Sequence, residues 1–484
     1  MITKELNERL TRVGPGTPMG KLLRRYWVPA VMSSEVPTPD CPPVKVQLLG
    51  EKLIAFRDTR GRVGIVQEAC PHRTASLWLG RNEECGIRCV YHGWKFDVNG
   101  ECLEMPNEPP QYQFTSRVRI TAYPTVEMGD IVWAYMGPPE LRPPEPRFEM
   151  TQVPPAYRNV SKTWQECNWL QALEGGVDTS HLGFLHHGLS YKAYGQLSKD
   201  DPTSFRLRAQ APVIELDDTD YGYRYAGIRD LGDQGIYVRG YHFVMPWTQI
   251  RPTQATTRTS PTGERIARWQ ATIGGHFWVP MDDYNCMVWN WDYSYGGEPL
   301  DEEERNDSSA GIKHVDPENN FRKRRNIDNN WMIDREVQRT KTFTGIPGIN
   351  TQDHAMQESM GPIADRTLEH LGQTDRAIAV MRRLLIDGMD AVEAVAADRT
   401  GQRAGDHPDP RVAQAVQVLH RLGGRALVVD VGAGDAELGA ELAAVHDGRP
   451  RAQGAHHVGQ DGRQAVAEED QAIGLLAPEH LAVA

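Results

Sequence analysis

Residues 174–188, EGGVDTSHLGFLHHG, set one aspartate and three histidines among apolar residues and glycines. Imidazoles bind metals, carry protons or simply hydrogen-bond, and spacing separates these uses. His181 and His186 stand five residues apart; with 100° per residue they would lie about 140° apart around a regular helix. They can meet only where the helix bends or ends between them. Gly183 falls in that interval and is the expected break, since glycine weakens a helix and accepts conformations that other residues avoid. The stretch therefore reads either as histidines in ordinary hydrogen bonds or as two metal ligands gathered from a distorted helix end. Asp178, three residues before His181, is placed to accept a hydrogen bond from that imidazole.

A second constellation lies upstream in EACPHRTASLWLGRNEECGIRCVYHGWKFDVNG. Cys70-x-His72 is followed, sixteen residues later, by Cys89-x-x-His92. Two tight Cys-His pairs beside turn residues put four ligands on two loops able to close over one group. Cys2His2 zinc is a rival on ligand identity. A zinc finger, however, pairs Cys with Cys and His with His, whereas each loop here offers one of each. Mixed loops suit a two-iron cluster, with two thiolates on one iron and two imidazoles on the other, the Rieske arrangement.

The elements that must carry these groups fall into blocks. Residues 1–24 read as a helical lead-in. From 25 to 140, short β-prone runs alternate with Gly, Asn and Asp turns, which predicts a small all-β domain. Beyond GPPELRPPEPRF, residues 141–395 mix helical stretches near 164–187 and 364–396 with β-like runs, which predicts an α+β domain, an antiparallel sheet with packed helices. After Met389 the chain has no Phe, Trp, Tyr, Lys, Cys or Met, so residues 396–484 are expected to be a poorly structured tail. Its VVDVGAGDAELG imitates a nucleotide loop but is followed by too little chain for such a sheet, and its six histidines follow no metal spacing.

With 484 residues and 39% hydrophobic content the chain can build two or three cores. Mean hydropathy is -0.54 and no apolar run is long enough for a membrane span. The start, MITKELNERLTRVGPG, lacks a signal-peptide core, so a cytoplasmic location is expected. A net charge of -12 argues against general nucleic-acid binding. Seven cysteines, an odd number without an export signal, are read as thiols or ligands rather than disulfides. Cys85 and Cys102, outside the motif, are read as buried thiols.

Together, the Cys-x-His-x16-Cys-x-x-His pattern and Asp178-x-x-His181-x4-His186 resemble the Rieske non-haem iron aromatic-ring oxygenases, alpha subunits, with TQDHAMQESMGPI (351–363) reading closest to their phthalate dioxygenase-like group. The resemblance implies a [2Fe-2S] domain followed by a helix-grip-like catalytic domain. It makes Cys70 and Cys89 ligands of one cluster iron and His72 and His92 of the other. His181 and His186 become ligands of a mononuclear Fe(II), completed by a carboxylate drawn from Asp353, Glu358 and Asp365, of which the family points to Asp353. His187 falls outside the spacing. The resemblance casts Asp178 as the bridge to a cluster histidine of an adjacent subunit in a ring, most simply a homotrimer. It further implies O2 as co-substrate, NADH through a separate flavin/iron-sulfur reductase, and a meta-substituted benzoate as substrate for cis-dihydroxylation. A monooxygenase or O- or N-demethylase uses the same ligands, and an electron-transfer protein without catalysis is the distant alternative. A substrate pocket is expected within 203–300. There Arg206, Arg208 and Arg239 are candidates to hold an aromatic carboxylate, and the family favours Arg208 and Arg239.

Overall fold

The structure, a computed structural model, describes residues 2–188, 209–251, 255–259, 265–269, 272–295, 297–300 and 314–399. Arg206, Arg208 and the expected tail from residue 400 onward lie outside the described residues.

The predicted lead-in forms two short helices, α1 (Lys4–Thr11) and α2 (Pro18–Leu23), capped by the hydroxyls of Thr3 and Thr17. The β-rich block folds into three small sheets. One joins Trp27–Met32, Ile131–Tyr135 and Thr125–Met128. A second runs Val44–Leu48, Glu51–Arg57, Val63–Gln67 and Ala122–Tyr123, and the third is a meander of Arg81–Glu83, Gly86–Arg88, Lys95–Phe96 and Cys102–Glu104. Tight hairpins explain the register. Leu49–Gly50 and Glu84–Cys85 both take positive φ at both turn residues, the geometry that two-residue hairpins demand. Cys85 is thus a half-buried turn residue rather than a core thiol; Cys102 is buried as expected.

The second block is built on a nine-stranded sheet in the order Val213–Thr219, Gly222–Asp230, Ile236–Val244, Thr248–Arg251, Thr272–Pro280, Cys286–Ser294, Arg158–Gln165, Arg322–Lys323, Val315–Asp316. Its neighbours are antiparallel, as expected, except that Arg158–Gln165 meets Arg322–Lys323 in parallel. No hairpin joins those two segments, so turn geometry does not fix their direction.

Helix α3 (Trp169–Val177) lies on this sheet and is buried almost all round. Asn168 caps it through Leu170 N–H and ties it to the backbone of Thr11 and Asp283. After α4 (Arg335–Thr340), α5 (Ile349–Ser359) packs against α3. The last described helix, α6 (Arg376–Arg399), starts later than the helix-prone stretch suggested, because Arg366–Leu368 and Gln373–Asp375 are single 3-10 turns. Ala377, Ile378, Met381, Leu385, Met389 and Val392 give α6 one apolar stripe that joins the main core. Among the described residues no helix is long and apolar enough to cross a membrane.

Two cores result. The larger runs from α1 and α2 through the first three-stranded sheet into the nine-stranded sheet, with Trp133 against Phe277 at 5.5 Å. A smaller one gathers Ile54, Phe56, Val66, Leu77, Ile87 and Phe96 around Cys70 and Cys89.

One buried carboxylate ties the helices together. Glu174 of α3 accepts from Arg366 Nη2 at 2.8 Å and from Arg382 Nε of α6 at 2.7 Å, while Arg366 Nη1 donates to Asn7 of α1 at 3.1 Å. Burial would raise the Glu174 carboxyl, but the two guanidinium charges outweigh it and hold it below its ordinary value. Glu174→Gln removes the anion and leaves the buried Arg366 without a carboxylate, while Arg382 keeps Glu369, so unfolding free energy should fall by about 3 kcal/mol in denaturant titrations at neutral pH. Because the folded carboxyl lies below the ordinary value of 4.5, this contribution is present above that pH and disappears as pH falls below it. The difference between wild type and variant should therefore shrink in acid.

Candidate metal centres

The two upstream loops are built alike. Cys70 N–H donates to the Ala75 carbonyl and its own carbonyl accepts from Thr74; Cys89 N–H donates to Trp94 and accepts from Gly93, all at 2.8–2.9 Å. The fourth residue after each cysteine, Thr74 (φ 61°) or Gly93 (φ 79°), is left-handed. Each loop so folds its histidine back beside its cysteine, and the rings of His72 and His92 approach to 4.4 Å between centroids. Trp94 stacks on His72 at 4.6 Å and Tyr91 tilts over His92 at 3.9 Å. Nδ1 of both imidazoles is buried without a hydrogen-bond partner. Burial pushes the Cys70 thiol up to about 11, despite the His72 N–H that favours the thiolate, so a nearby cation is required for the thiolate form. Orphaned ring nitrogens and buried thiols fit an iron-sulfur cluster. They fit a single zinc poorly: tetrahedral Zn ligands lie roughly 3.3–3.8 Å apart, and among the described residues no three of these four donor atoms come within 4.8 Å of one another.

The downstream set converges more tightly. Ligand atoms of His181, His186 and Asp353 all lie within 4.8 Å of each other. Asp353 Oδ1 is 3.2 Å from His186 Nε2 and 3.5 Å from His181 Nε2, and has no hydrogen-bond partner although buried. Each ring uses Nδ1 elsewhere: His181 on Asp178 Oδ2 at 3.1 Å, His186 on Gln352 Oε1 at 2.7 Å. Both acceptors require a proton on Nδ1, which leaves lone pairs on the two Nε2 atoms. With both rings neutral, two lone pairs and a carboxylate oxygen face one another, a set that could hold a metal ion. The donors are the two-His-one-carboxylate combination that suits Fe(II).

The break that brings the histidines together lies earlier than Gly183. Helix α3 ends at Val177, with Asp178 extended (φ -65°, ψ 129°), and His181–Gly183 is a separate 3-10 turn. Asp178 makes the stop itself, because its Oδ1 accepts from Ser180 N–H (2.6 Å) and Oγ–H (2.8 Å) and its Oδ2 from His181 N–H (3.2 Å). An Asp side chain that captures the following backbone in this way competes with helix. Burial raises the Asp178 carboxyl, but its bonds to His181 and Ser180 outweigh this and bring it down to about 2. From below, Arg229 Nη2 donates to the Thr179 carbonyl at 2.6 Å.

Asp353 is in the body of α5, not at its start, where Gly348 is the cap. The other two carboxylates are committed elsewhere: Glu358 to Lys323 and to Trp331 Nε1, Asp365 to the N-terminus of Arg366–Leu368. α5 packs against α3 beside Gly175, where an added Cβ would sit 1.9 Å from Gln357 Nε2 and displace that side chain. His187 stays outside the set and stacks on Phe343 at 6.1 Å.

A cavity of about 920 Å³ opens on Asp178, His181 and Asp353 and is walled by Phe184, Trp331, Phe343 and Met356 among others. Among the described residues its walls come from 175–185 and 330–360, and none of the described residues of 203–300, where the pocket was expected, lines it. Arg239 is buried and lies over the Tyr241 ring at 5.1 Å. Arg229 is wholly buried, with Nε and Nη1 unpartnered.

A Rieske [2Fe-2S] domain model matches residues 26–124, and a LigXa C-terminal domain-like model matches residues 134–420. The chain belongs to the Rieske non-haem iron oxygenases. Within them it stands in the phthalate dioxygenase-like group. It is 38% identical to the 3-chlorobenzoate-3,4-dioxygenase oxygenase subunit of Comamonas testosteroni, over 81% of this chain and 90% of that one. It is 38% identical to the phthalate 4,5-dioxygenase oxygenase subunit of Pseudomonas putida, over 84% and 90%. A 5,5'-dehydrodivanillate O-demethylase oxygenase subunit from a Sphingobium species is 32% identical over 81% of each chain. NdmA of Pseudomonas putida CBB5 shares the fold, with TM-score 0.54 at 16% identity over 85% of this chain and 99% of that one.

In this Rieske oxygenase subunit, two residues that hold the downstream set went unread in the sequence. Gln352 lies 166 positions from the histidine it touches, and Arg229 reaches Thr179 from a strand 50 positions away. Neither contact leaves a local pattern. If His181, His186 and Asp353 hold iron, His186→Ala should lower iron from about three to about two per chain while acid-labile sulfide and the cluster absorbance stay unchanged. Loss of sulfide together with iron would show that the variant damaged the cluster instead.

Proposed function

We propose that this chain is the oxygenase component of a two-component NADH-dependent system that cis-dihydroxylates a meta-substituted benzoate, of the phthalate, 3-chlorobenzoate or phenoxybenzoate type. The observation that carries the reading is the convergence of His181 Nε2, His186 Nε2 and Asp353 Oδ1 beside Asp178. Residues 25–140 would hold the [2Fe-2S] cluster through Cys70, His72, Cys89 and His92, and residues 141–395 a mononuclear Fe(II) through His181, His186 and Asp353. When bound, the cluster supplies single electrons and the mononuclear iron activates O2.

The chain's own residues do the positioning. Asp178 keeps the proton on His181 Nδ1 and the ring turned towards Asp353. In the proposed working unit, a homotrimer in the cytoplasm served by a flavin/iron-sulfur reductase, Asp178 also links His181 to a cluster histidine of the adjacent subunit. An aromatic carboxylate would suit Arg229 and Arg239, two buried guanidinium groups on one face of paired strands that are not among the described residues lining the cavity: Arg229, which reaches the Thr179 carbonyl, lies opposite Tyr237, and Arg239 opposite Gly227. Among the described residues neither forms an ion pair with a carboxylate, and buried cations draw an anion. Arg208 remains a candidate partner for Arg239.

The O-demethylase relative favours a second reading, a monooxygenase that removes a methyl group from a methoxylated aromatic compound. One assay separates the two. With a matching reductase, NADH and a panel of benzoates and methoxybenzoates, the first reading expects NADH oxidation coupled to a dihydrodiol, the second coupled to formaldehyde. Asp178→Asn should retain both metals and lower turnover by about 100-fold. Near-normal product formation by this variant would remove Asp178 from the electron path.

A further inference from the structure

Gln352 directly precedes Asp353 on α5, and its side-chain oxygen lies 2.7 Å from His186 Nδ1. Its amide nitrogen donates to the Ile346 carbonyl, also at 2.7 Å. A carbonyl only accepts, so this bond decides which end of the amide is nitrogen. The end facing His186 is then oxygen, which also only accepts, and His186 must donate from Nδ1. An imidazole protonated at Nδ1 alone keeps its lone pair on Nε2, the atom 3.2 Å from Asp353 Oδ1. Gln352, at 1% exposure, and His186, at 7%, are both buried, so bulk water does not compete for these bonds.

We propose that Gln352 is a positioning residue: the sequence of contacts Ile346 carbonyl, Gln352 amide, His186 ring sets the tautomer and orientation of His186 and thereby the metal affinity of the His181, His186 and Asp353 set. This rests on the metal-binding reading above. The two histidines are supported differently. His181 is backed by a carboxylate on the segment that carries it, whereas His186 is backed by a neutral amide on the helix that supplies the third donor. Adjacent helix residues point about 100° apart, and the His186 ring sits in that angle, with Nδ1 on Gln352 and Nε2 on Asp353. Movement of α5 must displace the support and the donor together.

The test uses the full chain with its cluster, depleted of mononuclear metal and titrated anaerobically with Co(II), read from the Co(II) visible spectrum. Gln352→Met keeps the side-chain length but cannot accept strongly, and should weaken Co(II) binding about 10–100-fold. Gln352→Glu keeps the acceptor towards His186 but loses the donor to the Ile346 carbonyl, so it should bind Co(II) more tightly than Gln352→Met. The cluster absorbance should be the same in all. If Gln352→Met binds like wild type while His186→Ala loses binding, the inference is wrong and the metal reading stands. If His186→Ala also binds like wild type, the metal reading itself fails. Should Gln352→Met not fold, Gln352→Asn replaces it: the shortened amide cannot reach His186, and wild-type Co(II) binding there contradicts the role of the acceptor.

Discussion

Two imidazoles can present Nε2 lone pairs to one point only if both are protonated at Nδ1, and much of the second block is arranged around that requirement. Asp178 and Gln352 are the acceptors that enforce it. For Asp178 to reach His181, α3 must stop at Val177, and the aspartate stops it by taking the Ser180 and His181 amides. For Gln352 to reach His186, α5 must lie close to the segment that follows α3, and it packs on α3 beside Gly175. The helices are in turn held by Glu174 with Arg366 and Arg382, and by Glu358 with Lys323. Ring tautomers, helix ends and buried ion pairs thus form one chain of dependence.

The two centres depend on different scales of structure. The upstream loops are held by turn hydrogen bonds spanning at most five residues and by a small core that contains both cysteines. The downstream donors come from segments about 170 positions apart and meet because α5 packs against α3, which lies on the nine-stranded sheet. That sheet shares its core with α1, α2, α6 and the strand Ile131–Tyr135. A change in either half of the chain is therefore felt at the downstream set, whereas the upstream loops are buffered by their own core.

This difference explains what the sequence revealed. The Cys-His loops were legible because each ligand pair and its turn lie within a few residues. The all-β character of 25–140 and the α+β character of 141–395 followed from alternation and from turn residues, again local signals. His181 and His186 were visible as a pair, but the break between them was assigned to Gly183, by glycine's weak propensity. The decisive competitor was the Asp178 side chain, whose hydrogen bonds to the following backbone end the helix five residues earlier. The described cavity walls had no such local signal. Strand patterning within 203–300 drew attention to the sheet, while Trp331 and Phe343, in a segment with little regular structure, wall the cavity. The parallel contact of Arg158–Gln165 with Arg322–Lys323 had no local signal at all.

Asp353 shows what packing adds to a motif. By spacing alone it was one of three carboxylates in a 13-residue window, and only family resemblance preferred it. Burial supplies an independent criterion, because a buried carboxylate oxygen must be matched by a cation or by donors. Glu358, wholly buried, is matched by Lys323, Trp331 and the Glu166 amide. Glu174 is matched by two arginines, and the buried Asp58 by Arg62 and two backbone amides. Asp365 is exposed and caps a turn. Asp353 Oδ1 alone of these is buried and unmatched, and it faces the two nitrogens whose protons have been drawn to their far sides. The physical chemistry of burial thus points to the same carboxylate as the resemblance, by a route that uses no relative.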